Sequence, residues 1–145
     1  MTSASTPLRQ VAALPLRFDD AQAPQVLLIT SRETQRWVIP KGWPMRGLAD
    51  CDAAATEARE EAGVTGKVRG KALGTYLYWK RREVHFDLVE VTVYRLDVTG
   101  QLGKWRERGE REARWMALSE AAEAVQEPGL QTIMTALEAK LAKAA

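Results

Sequence analysis

Gly42-Trp-Pro-Met-Arg-Gly-Leu-Ala-Asp-Cys-Asp-Ala-Ala-Ala-Thr-Glu-Ala-Arg-Glu-Glu-Ala-Gly-Val64 is the stretch that decides how this chain folds. Its second half is Ala-rich. Asp50 and Asp52 each suit an N-cap and the positive end of a helix dipole. Gly63 is a natural left-handed stop. These signals predict a helix over 50–62. Residues three and four apart share a helix face, so Glu57, Glu60 and Glu61 converge within about one turn. Carboxylates that close repel and raise each other's pKa unless a cation lies among them. Oxygen-only ligands of high negative charge suit a hard divalent ion such as Mg²⁺ or Mn²⁺, which usually holds substrate phosphates through a few carboxylates and waters. A run of Glu taken alone is more often a solvated face, here with Arg59 as a partner. The residues upstream shift that balance.

Trp37-Val-Ile-Pro40 reads as a short strand running into Lys41-Gly42, and Gly42, Pro44 and Gly47 make the following loop. A strand, a glycine loop, a helix with glutamates on one face and a closing glycine together resemble the Nudix box. That motif is Gly, five residues, Glu, seven residues, then Arg-Glu-apolar-x-Glu-Glu-x-Gly-apolar. Gly42 takes its first place, Glu57 the Glu after the Arg, Ala58 the apolar place, and Glu60 and Glu61 the paired Glu; Gly63 and Val64 close it in register. Two positions depart. Leu48 stands where the first Glu belongs, and Thr56 stands where an Arg helps hold the family's glutamates in position. One acidic and one basic place are lost together, as expected if a structural ion pair has been replaced by other packing. The context extends the resemblance. Gln25-Val-Leu-Leu-Ile-Thr30 precedes the box as a strand, and Glu112-Ala-Arg-Trp-Met-Ala-Leu-Ser-Glu-Ala121 resembles the family's late strand, turn and helix.

The resemblance implies an α/β fold, an α/β/α sandwich with a mixed central sheet on which the box helix and the C-terminal helices pack. It implies hydrolysis of a diphosphate linkage by water attack on phosphorus, dependent on Mg²⁺ or Mn²⁺. By carry-over, Glu60 and Glu61 are metal ligands and Glu57 is a ligand or the base that orients water. The backbone carbonyl of Lys41 is a further ligand, with Gly42 allowing close approach. A late acidic residue completes the site, with Glu107, Glu110 and Glu112 as candidates and Glu110 preferred as the metal ligand. The alternative is a catalytically weak or inactive domain of the same fold that binds a phosphorylated ligand, a reading the loss of the Arg at 56 favours and the three retained glutamates oppose.

Specificity has to come from outside the box. Arg32, Arg36, Lys41 and Arg46 flank it with Glu33 as the one acid between 32 and 46, a local charge of +3 in a chain of net +2. Lys80, Arg81 and Arg82 form a second cluster, read either as a solvated hairpin tip or as part of the site. Arg forks suit phosphate, so the substrate-binding candidates are Arg32, Arg36, Lys41, Gly42 and Arg46, with Trp43, Lys80 and Arg82 beside them. The run from Thr30 to Gly42 resembles the family branch acting on diphosphoinositol and dinucleoside polyphosphates. The expected partner is a small diphosphate or polyphosphate, with no nucleic acid and no membrane. Single His85, two residues from Asp87, reads as an ordinary strand residue.

The rest of the chain frames this site. At 145 residues it has the size of one domain able to bury about two thirds of its unfolded surface. Its 46% apolar and 28% charged residues are ordinary for a globular protein, and Cys51, alone, excludes an internal disulfide. Met1-Thr-Ser-Ala-Ser-Thr-Pro7 lacks a basic region and an apolar core, so it does not read as a signal peptide; a cytoplasmic enzyme, monomer or homodimer, is the expectation. Residues 1–7 are expected as a disordered tail and 8–145 as one domain. Strands are expected over 9–18 (broken near Pro15), 25–30, 36–39, 64–71, 73–79, 84–98 and 114–117. The alternation of the 84–98 strand changes phase around Leu88–Val91, which suggests a bulge or a strand buried on both faces. Helices are expected at 119–125 and 129–143, and a polar loop over 99–110.

Overall fold

The computed structural model describes residues 6–144; apart from Thr6 and Pro7, the expected tail lies outside them. The strands are β1 (Leu8–Phe18), β2 (Pro24–Thr30), β3 (Trp37–Val38), β4 (Lys41–Gly42), β5 (Val64–Val68), β6 (Gly74–Arg81), β7 (Phe86–Gln101) and β8 (Ala113–Ala117). The helices are α1 (Asp50–Ala62), α2 (Leu118–Ala124) and α3 (Pro128–Ala144). None of the described helices is long and apolar enough to cross a membrane.

β1 and β7 form the parallel spine of a mixed sheet, paired from Leu8↔Val89 to Leu16↔Asp97. β1 also meets β4 and then β2, both antiparallel. β2 carries β8 along Gln25–Ile29 and β3 at its end. β7 holds β6 along its first half and β5 along its second, both antiparallel. Both faces of this sheet are covered, because side chains alternate along a strand. On β1, Ala12, Leu14 and Leu16 face a core that includes Leu130, Ile133 and Met134 of α3, while Val11 and Ala13 face a second core against Ala53, Ala54, Ala58 and Ala62 of α1. Those four alanines let α1 lie close to the sheet. The result is the α/β/α sandwich expected from the box and its flanks.

Several local expectations change. β1 is not broken at Pro15. The N–H of Ala13 donates to the Pro40 carbonyl at 3.1 Å, away from β7. Pro15, two residues on, faces the same way, at the point where the neighbour of β1 passes from β4 to β2, so no ladder bond is lost. β7 does not change phase at Leu88–Val91. Val89, Val91 and Val93 face one core and Tyr94 and Leu96 the other in strict alternation, so the strand is buried on both faces. The register shift sits near the strand's end, where Gly66 pairs with Val98 after Thr65 pairs with Gly100. β7 also runs on to Gln101, so the polar loop starts at Leu102. Lys80 and Arg81 belong to β6, and the hairpin turn closes one step later, with the Arg82 N–H donating to the His85 carbonyl at 2.8 Å. His85 is therefore an exposed turn residue, 3.2 Å from Asp87.

Candidate active site

The N-cap of α1 is Ala49, which contributes no side-chain bond. Neither Asp50 nor Asp52 caps it; Asp50 pairs with Arg9 at 2.7 Å instead. The C-terminal end is as the sequence predicts. Gly63 has φ 70° and donates its N–H to the Arg59 carbonyl. An L side chain is strained in that conformation, and a Cβ there would also run into the indole of Trp105. The loop after β7 thus docks on the end of α1. Leu102 N–H donates to the Gly63 carbonyl at 2.8 Å, and Glu107 N–H donates to the Glu60 carbonyl at 3.0 Å.

On the last two turns of α1 the Glu57 and Glu61 side chains come within hydrogen-bonding reach of each other. Glu61 is buried, 8% exposed. Burial pushes its carboxyl up to about 8; Arg111 opposes this and Glu57 adds to it. Burial also raises Glu57, helped by the charges of Glu60 and Glu107. Oε1 of Glu61 accepts the Lys41 backbone N–H at 3.3 Å, which places the Lys41 main chain at the carboxylate's edge. A Cβ on Gly42 would fall inside the Glu57 carboxylate, with even the farther oxygen only 2.7 Å away. Gly42 is glycine because the Glu57 side chain occupies the space a side chain of its own would take.

Two carboxyls in contact need either a shared proton or a cation between them. With an all-oxygen donor set and the space at Gly42, these residues fit a divalent cation of the Mg²⁺ type. Among the described residues, no three acidic, His or Cys side chains already converge on one point. The Glu60 carboxylate turns toward Arg106 at 3.6 Å, an exposed and therefore weak pairing.

The late acid beside the box is Glu107, not Glu110. Glu107 is largely buried, lies 2.9 Å from Arg111 Nε and contributes to the field on Glu57. Glu110 is half-exposed and pairs with Arg32 at 3.0 Å, and Glu112 is exposed. Arg111 carries no local sequence signal beyond its place just before β8, whose partner β2 ends at the site.

A pocket opens next to these carboxylates, lined by Arg32, Arg36, Lys41, Tyr78, Lys80 and Arg111 among others. Lys41 Nζ lies 5.0 Å from the centre of the Tyr78 ring, and burial lowers its pKa. Tyr78 donates to Gln10 at 2.7 Å. Arg36 is already engaged by Gln126 at 2.9 Å and by buried Glu127 at 3.3 Å, both from the segment between α2 and α3. Gly42 borders the carboxylates rather than the pocket. Trp43 and Arg46 are exposed on the loop before α1, and Arg82 is held by Asp87 at 2.7 Å in the hairpin turn; the structure does not bring these three to the pocket.

The family model of the NUDIX domain matches residues 7–137. The chain belongs to the Nudix family. Nudix hydrolase 4 of Arabidopsis thaliana is 34% identical over 123 residues, covering 80% of this chain and 58% of that protein. Diphosphoinositol polyphosphate phosphohydrolase 2 of Rattus norvegicus is 32% identical over 114 residues, covering 77% of this chain and 60% of its own length. The chain thus spans only about three fifths of each of these two Nudix relatives. A crystal structure of a C. elegans Ap4A hydrolase binary complex superposes with a TM-score of 0.68, covering 94% of this chain and 98% of that one at 18% identity, a likeness of fold.

Proposed function

We propose that the protein is a divalent-metal-dependent hydrolase that cleaves a diphosphate linkage in a nucleoside or inositol polyphosphate. The observation that carries this reading is the Glu57 carboxyl packed against Gly42 beside the Glu61 carboxyl on the Lys41 N–H, next to a pocket lined by basic residues. Membership of the Nudix family supports the reaction class, and similarity to the rat diphosphoinositol polyphosphate phosphohydrolase supports the substrate class. A bound Mg²⁺ or Mn²⁺ would neutralise phosphate charge and make water a competent nucleophile near neutral pH.

The chain's own residues do the rest. Glu57 and Glu61 supply the negative charge that would hold the ion, with the Lys41 carbonyl as a neighbouring donor. Glu60, partly exposed and only weakly paired, has the freedom to swing inward as a ligand. Either Glu57 or Glu60 can take the proton from the attacking water. A new P–O bond forms to that water and the bridging P–O bond breaks, leaving two phosphorylated products. Lys41 and Lys80 line the pocket where the substrate's other phosphates would lie, and much of such catalysis is positioning and electrostatics. Arg36 is held by Glu127 and shapes the wall.

The test is phosphate release from a panel of diphosphate compounds with Mg²⁺ or Mn²⁺, for wild type and for Glu57→Gln and Glu61→Gln. Hydrolysis by wild type that falls at least about 100-fold in both variants supports the proposal. Equal, slow release by all three, with ligand binding retained, would instead identify a binding domain.

A further inference from the structure

Thr56 holds the box position at which an arginine would brace the glutamates, and it cannot do that work. Its hydroxyl donates to the Asp52 carbonyl of its own helix at 2.9 Å. Arginine is nevertheless present at the carboxylates, brought from 55 positions further along the chain. Arg111 is largely buried, 11% exposed along its side chain, and each of its nitrogens has a different partner. Nε reaches Glu107 Oε1 at 2.9 Å, Nη1 donates to the Thr30 carbonyl at 3.1 Å, and Nη2 lies 3.9 Å from Oε1 of Glu61.

We propose that Arg111 is the positioning residue that replaces the missing box arginine, fixing Glu61 and Glu107 for metal binding. The reading rests on the metal-hydrolase proposal above. A planar fork aims its donors in fixed, widely spread directions at separate partners, which a compact ammonium on a flexible stem does not. A buried guanidinium is stable only when paired, here by hydrogen bonds to Glu107 and the Thr30 carbonyl and by the Glu61 charge alongside. The frame holding it is rigid. Thr30 ends β2, Glu107 is tied by its N–H to the Glu60 carbonyl, and Glu112 N–H donates to the Thr30 hydroxyl at 3.0 Å. Oε1 of Glu61 therefore lies between the Lys41 N–H and Arg111. Arg106 does not share this role: its side chain is 75% exposed and pairs with Glu60 at the surface.

The experiment measures Mn²⁺ binding directly, by the loss of the free-ion electron paramagnetic resonance signal, alongside kcat and KM. The proteins are wild type, Arg111→Met, Arg111→Lys, Thr56→Arg, and Thr56→Arg combined with Arg111→Met. Removing a group that orients a metal ligand typically costs about 10- to 100-fold in metal affinity or activity. Arg111→Met should weaken Mn²⁺ binding by that factor and lower kcat with KM little changed. Lysine should recover only part. Thr56→Arg should restore much of the loss in the Arg111→Met background and do little in wild type. If Arg111→Met does not fold, Arg111→Gln keeps a donor for the Thr30 carbonyl and carries the same expectations.

Unchanged Mn²⁺ binding in a folded Arg111 variant overturns the proposal. So does a rise in KM alone, which would make Arg111 a substrate contact. An equal effect of Thr56→Arg on both backgrounds overturns the replacement. A wild type that takes up no Mn²⁺ defeats the metal-hydrolase reading itself, which separates the two failures.

Discussion

Gly42→Ala separates catalysis from stability more cleanly than any carboxylate mutant. Gly42 does not have a positive φ, so alanine suits the backbone there. The three atoms nearest the added Cβ all belong to the carboxyl end of Glu57, a flexible group that can move. Its farther oxygen would be at 2.7 Å and its nearer one closer still, against 3.4 Å or more for ordinary contact. The carboxylate must therefore retreat by about 1 Å, and a misplacement of that size costs about 100-fold in rate, or about 2.7 kcal/mol of transition-state stabilisation. Folding stability should change little. Alanine reduces the freedom of the unfolded chain, worth about 0.4–1 kcal/mol, which offsets part of the cost of moving the carboxylate. The assay is kcat and KM with Mn²⁺ beside a thermal melt. Gly103→Ala, where a Cβ meets nothing within 4 Å, serves as the control. A Gly42→Ala protein that turns over at close to the wild-type rate would refute the reasoning, because the Glu57 carboxylate would then not need its observed place.

The metal-free protein should lose stability as pH rises. Glu61 titrates at about 8 in the fold against 4.5 in its ordinary state, so between those values the folded chain binds the extra proton. That stabilisation is complete below the unfolded value and disappears as pH passes through about 8, amounting to several kcal/mol. Urea melts at pH 5.5 and 8.5 should show it, and saturating Mg²⁺ should flatten the slope. Gly63→Ala should destabilise by about 2–4 kcal/mol through its left-handed φ and the clash with Trp105, read from urea midpoints; an unchanged midpoint would mean that the loop does not pack on α1 in solution. Lys80→Ala should raise KM for a polyphosphate with little change in kcat, whereas Arg36→Ala should lower stability by about 1–3 kcal/mol because it leaves buried Glu127 unpaired. The reverse pattern would exchange the two roles.

Much of this was legible locally. The helix ending at Gly63 follows from Ala-rich composition, helical spacing and a glycine stop, all within one stretch of chain. β2, β8 and the terminal helices were readable for the same reason, to within a residue or two at most boundaries. Misreadings arose where neighbours in space decide. Pro15 looks like a strand breaker in sequence, yet its missing N–H falls at a change of partner strand. Lys80 looks like a turn residue, yet β7 extends the pairing through Arg81↔Phe86.

The sequence by itself determined the family, the sandwich and the carboxylates of the box, because a motif on one helix carries its geometry in its spacing. Only the tertiary structure decided which distant charges serve that helix. In Arg106-Glu-Arg-Gly-Glu-Arg-Glu112 acids and bases alternate, and nothing local distinguishes them. Glu107 and Arg111 turn inward because backbone bonds to Glu60 and the end of β2 fix the loop there, while Glu110 is left outside with Arg32.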